Sequence, residues 1–555
     1  MDTDMLKKIF ISTLLLGLFI ISCSNSNSSS TSPVLMTAYT IPTNYTVPPN
    51  PITNAPTPLE YNYSVFTRYY YSQEPKDIKA VLILMPGIFM GAGGFDKMAK
   101  SLVAMSHGNI EVWTIDRRSV LLDDRTGLIS AWNNHDPAIA YNYYFNNASV
   151  NGKTFAGFVT PSTITYMSEW GLDMTLRDLN TIVSLIPPQY RKTNVFVGGH
   201  SLGAWLSEDY AAYDFDGNPS TTSDAGYNQI AGLILIDGGG SGLFQTMTSS
   251  DYISTQTGNS IELSGFTIPI PGLYQIRSTP DNVLAASLFN YISPSLGSMV
   301  NKLLVFFEIE GLYDYFEPDV QTTLLKDPVF SLIAALLYGN TQFKATNQAM
   351  LGFTIDRHFN PISILIGTLG SANGPLKTAT NTLFPGVTIS QPTDQGTMIY
   401  TWNSAGHITY INDLAAALSN TYTSFFEWYF PLRLALDVLS IGDDYGVRGT
   451  SDWRWQQGMY VIHTPQMDAP VLALGGGSGL EQSETVFYKY RDMLPSARNC
   501  NNQLRTSCGF DIHIMPMHTH LDMLLSDPNV SKLDSIMYNW IESHVSTTMP
   551  VPNLK

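Results

Sequence analysis

Short apolar runs recur along the chain, each stopped by glycine, proline or a charge. They fall at 80–85, 111–115, 194–197, 233–236, 471–474 and 510–515. Runs of this length predict strands buried on both faces. Between them, 95–105 and 172–186 carry apolar residues at helical spacing, the second ended by Pro187-Pro188. A helix over 532–544 closes the chain, and 60–72 alternates aromatic with polar residues, which predicts the first strands. Strands alternating with helices imply βαβ units and a mostly parallel central sheet flanked by helices, an α/β class. The polar, Asn- and Tyr-rich stretch from 118 to 172 reads as a long loop with short elements.

From 241 to 466 the rhythm changes. Leu/Phe/Tyr-rich segments at 302–307, 330–337 and 422–439 alternate with polar loops, and the strand rhythm returns only at 471. This predicts one large, mainly helical insertion. At the other end, 24–58 is rich in Ser, Asn, Thr and Pro with few large apolar residues, the composition of a flexible tether. The expected organisation is therefore 1–23 leader, 24–58 tether, 59–240 first part of the core, 241–466 insertion and 467–555 second part of the core.

Composition changes this picture in two respects. A formal charge of −17 argues against a nucleic-acid partner, which needs a surplus of Lys and Arg. The N-terminus adds an address: Lys7 and Lys8 precede an apolar run over 9–21 that ends in Ile20-Ile21-Ser22-Cys23. That tetrapeptide resembles the lipobox of bacterial lipoprotein signals, which implies cleavage, an acylated Cys23 and attachment to the membrane of a bacterial cell envelope. Cys500 and Cys508 then remain as an even pair in an oxidising compartment, where a disulfide is expected.

The candidate chemistry centres on Gly199-His200-Ser201-Leu202-Gly203. Gly-x-Ser-x-Gly between a strand and a helix is the nucleophile-elbow pattern. The abrupt turn strains its central residue, requires small neighbours and lifts the Ser201 hydroxyl above the sheet, over a helix N-terminus that favours an oxyanion. In this arrangement His200 is a structural residue of the elbow.

Over about 61–240 and 467–555 the chain resembles the α/β-hydrolase superfamily, specifically its esterases and lipases. The resemblance implies a nucleophile after strand five and an oxyanion hole from two backbone N–H groups. One is that of Leu202; the other comes from Leu84-Met85-Pro86-Gly87-Ile88-Phe89, with Ile88 first and Phe89 next. It also implies a histidine after the last strand, where His518-Thr519-His520-Leu521-Asp522 makes His520 the match. Metal binding by His513, His518 and His520 is the competing reading, but no carboxylate or Cys set with metal spacing accompanies them, and no metal or cofactor is implied.

The acid departs from the family's pattern. No Asp follows strand seven, where Gly475-Gly476-Gly477-Ser478-Gly479-Leu480-Glu481 offers Glu481, with Glu484 beyond. Asp237, at the end of strand six, is the preferred member of the triad. The insertion lies between strands six and seven, where the superfamily carries caps. Asp116-Arg117-Arg118 after strand four reads as an exposed polar loop, with shaping of the pocket entrance as the alternative. The expected activity is hydrolysis of a carboxylic ester, of a small molecule or a lipid, through an acyl-enzyme on Ser201. A peptidase or acyltransferase with the same triad, and an inactive surface lipoprotein using the scaffold for binding, stand as alternatives.

Overall fold

In the computed structural model, residues 33–554 are described except 52, 160–162, 241–246, 251, 253–259, 264–265, 270–293, 327–341, 361–365, 381–386, 496–508 and 546. The leader, Cys23, the segment 330–337 and the Cys500–Cys508 pair lie outside the described residues.

Eight strands form the central sheet: β1 (Val34–Pro42), β2 (Tyr63–Tyr71), β3 (Ala80–Met85), β4 (Ile110–Asp116), β5 (Val195–His200), β6 (Gly232–Ile236), β7 (Val471–Gly476) and β8 (Phe510–Met515). Their order is β1-β2-β4-β3-β5-β6-β7-β8. β1 and β2 pair antiparallel, as do β2 and β4. All later neighbours are parallel. This is the sheet of the α/β-hydrolase fold.

The apolar runs are explained by burial on two sides. Along β3, Ala80, Leu82 and Leu84 enter one core cluster, while Val81, Ile83 and Met85 enter the other. The same split divides Ile234 and Ile236 of β6 from Leu233 and Leu235. Each such side chain taken from water contributes about 2 kcal/mol. Helices α1 (Asp96–Met105) and α4 (Leu533–His544) cover the first face, and α2 (Leu172–Val183) and α3 (Leu202–Ala211) the second.

Two differences from expectation have physical causes. Val34–Pro42, inside the stretch read as a tether, is an edge strand in register with β2 from Val34↔Tyr71 to Pro42↔Tyr63. Val47 and Asn50 beyond it are also buried, so the folded body begins near 34 rather than 59. The loop expected over 118–172 contains helices at Thr126–Asn134 and Pro137–Phe145. The second is capped by Asp136, which accepts from the Ala138 N–H, with Pro137 in its first turn. The inserted stretch carries the helices Pro294–Phe316, Asn347–Ile355, Ile411–Leu418 and Leu432–Ile441, joined by short ladders such as Leu376–Thr380 with Thr388–Pro392.

Candidate active site

The carboxyl ends of β3, β5, β6, β7 and β8 meet at one rim, because the parallel register aligns Met85 with Gly199, His200 with Ile236, and Ile236 with Leu474. Ser201 is the joint between β5 and α3. Its backbone sits at φ 56°, ψ −127°, a conformation that costs an L-residue on the order of 1–3 kcal/mol. Neighbouring contacts hold it there. The Ser201 N–H donates to the Ile236 carbonyl at 3.0 Å, and its own carbonyl accepts from Ala204 at 2.9 Å.

The small residues of the elbow are steric requirements. A Cβ on Gly203 would stand 1.9 Å from the Met85 carbonyl oxygen, and one on Gly199 would stand 2.2 Å from that of Gly203. Gly238 is pressed against Ser201 in the same way, at 2.4 Å from its carbonyl oxygen. Gly87, in the loop after β3, would place a Cβ 3.0 Å from Ser201 Cβ and 3.5 Å from Oγ. The loop expected to supply the second oxyanion donor therefore lies directly beside the serine.

His520 follows β8 and is buried. Its Nδ1 donates to Asp237 Oδ2 at 2.6 Å. Asp237 leaves β6 at φ 43° and is saturated with donors. Gly476 and Glu481 N–H reach Oδ1, and Leu480 N–H reaches Oδ2, each at 2.9 Å. Burial alone raises the Asp237 carboxyl, but the hydrogen bond and charge of His520, with the Glu481 and Gly476 N–H groups, outweigh it and bring it down to about 2.

The glycine-rich loop after β7 thus serves as a cradle for an acid that comes from β6. Gly479 packs so close that a Cβ would meet Asp237 Oδ2 at 2.2 Å. Glu481 is buried and enters through its backbone N–H, and Glu484 accepts from the Tyr488 hydroxyl at 3.2 Å.

The neighbouring histidines separate by role. His518 is turned away, with Nδ1 against the Pro516 carbonyl and Nε2 against Ser531 Oγ at 2.8 Å, and His513 is exposed. The three histidines form no metal-holding group among the described residues. His200 donates from Nε2 to the His520 carbonyl at 3.0 Å, and the two rings lie 4.1 Å apart. Burial and the His520 charge hold His200 well below the usual histidine range, so it braces the loop as a neutral ring.

The reading of Asp116-Arg117-Arg118 as an exposed loop is corrected. All three are buried, because each finds partners elsewhere in the chain: Asp116 accepts from the Ala92 N–H at 2.7 Å and Arg118 pairs with Asp178. Arg117 donates to the carbonyls of Pro86 (2.9 Å), Gly87 (2.6 Å) and Met90 (3.0 Å) and pairs with Glu427 at 2.6 Å. Glu427 also accepts from Ser119 Oγ and returns its own N–H to the Phe89 carbonyl at 2.9 Å. In a trans peptide the C=O and the next N–H point in opposite directions. Fixing the Gly87 carbonyl on Arg117 therefore aims the Ile88 N–H away from that guanidinium.

Neither Ile88 nor Phe89 N–H has an acceptor among the described residues. Leu202 opens α3, so its N–H has no acceptor within the helix. Only the pairing with Glu427, 310 residues from Arg117, reveals the guanidinium's place, and local spacing carries no sign of it.

The stretch between β6 and β7, and its contacts with the loop after β8, border this rim on two sides. Gly91 and Gly93 N–H donate to the carbonyls of Phe425 and Ser424, each at 2.8 Å. On the histidine side, Asp522 collects Thr368 N–H and Oγ1 and Thr409 Oγ1.

No protein-family model matches the chain, and no curated protein does. Solved structures similar to it include a putative lipase from Sulfolobus solfataricus, at 14% identity over 92% of this chain and 95% of that one, with a TM-score of 0.42. A soluble variant of monoglyceride lipase from Saccharomyces cerevisiae, in complex with a substrate analogue, is 12% identical over 91% and 98%, with a TM-score of 0.30. A thermophilic esterase from Thermogutta terrifontis is 9% identical over 92% and 99%, with a TM-score of 0.33.

Proposed function

We propose that this chain is a serine hydrolase that cleaves carboxylic esters through an acyl-enzyme. The observation that carries the reading is the strained Ser201, beside the Gly87 loop, on the same rim as a buried His520 whose Nδ1–H is held by Asp237. Ser201 Oγ attacks the ester carbonyl carbon and His520 Nε2 takes its proton. Asp237 orients the imidazole and stabilises the imidazolium, while the N–H groups of Leu202 and Ile88 bind the oxyanion. His520 then protonates the leaving alkoxide, and water repeats the sequence to release the acid. The contact of Asp237 with His520, within the β7-loop cradle, supports the active enzyme over the inactive-scaffold alternative.

The substrate is the ester of a small molecule or a lipid, enclosed by the 241–466 insertion acting as a cap. The protein is exported and anchored through an acylated Cys23 at a bacterial envelope, a reading that rests on the leader. The test is hydrolysis of nitrophenyl esters of graded acyl length by the detergent-solubilised full chain, with fluorophosphonate labelling. Ser201→Ala is expected to lose activity by at least about 10³-fold and to lose the label. A wild type that neither labels nor cleaves any ester overturns the reading. Labelling with turnover of amides alone moves the substrate class.

A further inference from the structure

After α3 the chain makes a tight acidic loop, Asp214-Phe215-Asp216-Gly217-Asn218, which closes back at Asp224. One carboxylate oxygen from each of Asp214, Asp216 and Asp224 lies within 4.8 Å of the others. Half of the buried Asp214 carboxylate and half of the half-buried Asp224 carboxylate are consumed locally. Asp214 Oδ1 accepts from Gly217 and Asn218 N–H, and Asp224 Oδ2 from Phe215 and Asp216 N–H. Asp216, which is exposed, accepts from Asn218 N–H and Thr221 Oγ1.

The other halves are buried without a partner. Asp214 Oδ2 and Asp224 Oδ1 have none, and Asp214 as a whole is fully buried. A third such atom comes from outside the loop. His463, on the segment returning from the insertion and 2% exposed, has an unpartnered Nε2 that stands 3.9 Å from Asp214 Oδ2. Among the described residues no Lys or Arg pairs with any of the three carboxylates. Buried polar atoms left without a hydrogen bond destabilise the fold, and more so when charged. The convergence of the carboxylate oxygens points to a cation that satisfies them together.

We propose that Asp214, Asp216 and Asp224 bind one hard divalent cation of the calcium class. The donors are oxygens, and the imidazole lies outside the 4.8 Å group, as suits calcium rather than a softer metal. Asp214, Asp216, Asn218 and Ser220 present oxygen-bearing residues at alternate positions, the spacing by which calcium loops wrap their ion. The loop departs from the helix–loop–helix pattern in having Gly217 fourth and an Asp eleventh. His463 faces the free oxygen of Asp214 at 3.9 Å, a place that suits a residue one shell out from a metal.

The location gives the ion a structural purpose. Asp214 N–H donates to the Tyr460 carbonyl at 2.9 Å, Tyr213 bridges to Val461, and His463 N–H donates to the Ala212 carbonyl. The cation secures the end of the nucleophile helix to the segment that leads from the insertion into β7.

The test uses the full chain stripped with EGTA, then titrated with calcium chloride alone. Calorimetry is expected to show one bound equivalent and thermal unfolding a higher Tm. Asp216→Asn, on the exposed side, folds and weakens calcium binding by about ten-fold or more. It shifts Tm in opposite senses: unchanged or raised in EGTA, where a repulsive charge is gone, and lowered relative to wild type in calcium. Absence of binding at millimolar calcium overturns the proposal, as does an Asp216→Asn effect that is the same in EGTA and calcium. Binding of zinc in preference to calcium overturns the assigned class. Ser201→Ala retains the site, so the outcome is independent of the hydrolase reading.

Discussion

Asp237 presents the sharpest residue-level question, since two carboxylates sit at the rim and one directly holds the imidazole. Asp237→Asn keeps the shape but removes the charge that stabilises the imidazolium, so kcat for ester hydrolysis is expected to fall by about 10⁴-fold. Glu481→Gln keeps the backbone N–H that braces Asp237 and is expected to cost less than about ten-fold. Steady-state kinetics on both variants decides the matter, and the reverse ranking would transfer the acid to Glu481. Arg117 calls for a different measurement, because it touches no substrate atom in the proposed mechanism and acts through the loop it grips. Arg117→Lys keeps a charge but loses the planar fork that serves three carbonyls. The expected result is a kcat lower by about 10²-fold with KM nearly unchanged. A loss confined to KM would mean that the loop is held without it.

At the level of elements, legibility followed burial. β3 and β6 were readable almost to the residue, because strands covered on both faces present unbroken apolar runs. The elbow was readable because a strand turning at once into a helix needs glycines at set positions. β1 was hidden: its outward positions are partly exposed and its surroundings have the composition of a linker. The helices at 126–145 were hidden for another reason. Pro137–Phe145 carries apolar residues all round, Pro, Ala, Ile, Tyr and Phe without a polar stripe, so periodicity had nothing to mark. Within the site, Ser201 and His520 followed from local motifs. The cradle around Asp237 did not, since it joins two loops separated by the whole insertion. Arg117→Met tests the strap between elements: it leaves Glu427 buried and unpaired, and thermal or denaturant unfolding is expected to show a loss of about 3–5 kcal/mol. A loss below about 1 kcal/mol would show that the Glu427 segment is held by other contacts.

Taken as a whole, the molecule is acidic outside and unusually acidic within. Burial pushes Glu310 and Asp314 up to about 8 and Asp116 and Asp534 to about 6, so each holds its proton to a higher pH in the folded protein than in the unfolded chain. A carboxyl raised on folding favours the native state below its unfolded pKa and loses that contribution as pH rises through the folded one. Stability is therefore expected to fall between about pH 4 and pH 8, in the same direction as the self-repulsion of a −17 charge. Asp237 acts oppositely: its contribution, about 2 kcal/mol, is present above pH 4 and lost as pH falls toward 2. Calorimetry should find a higher Tm at pH 5 than at pH 8, with Glu310→Gln flattening the slope; a Tm that rises toward pH 8 contradicts this. The edge strand has a consequence of its own, one of reach. With the sheet beginning at Val34, the proposed acylation of Cys23 would leave a link of at most roughly 40 Å between lipid and folded body. On that proposal an ester borne on the same surface would meet the enzyme more often than one in the bulk.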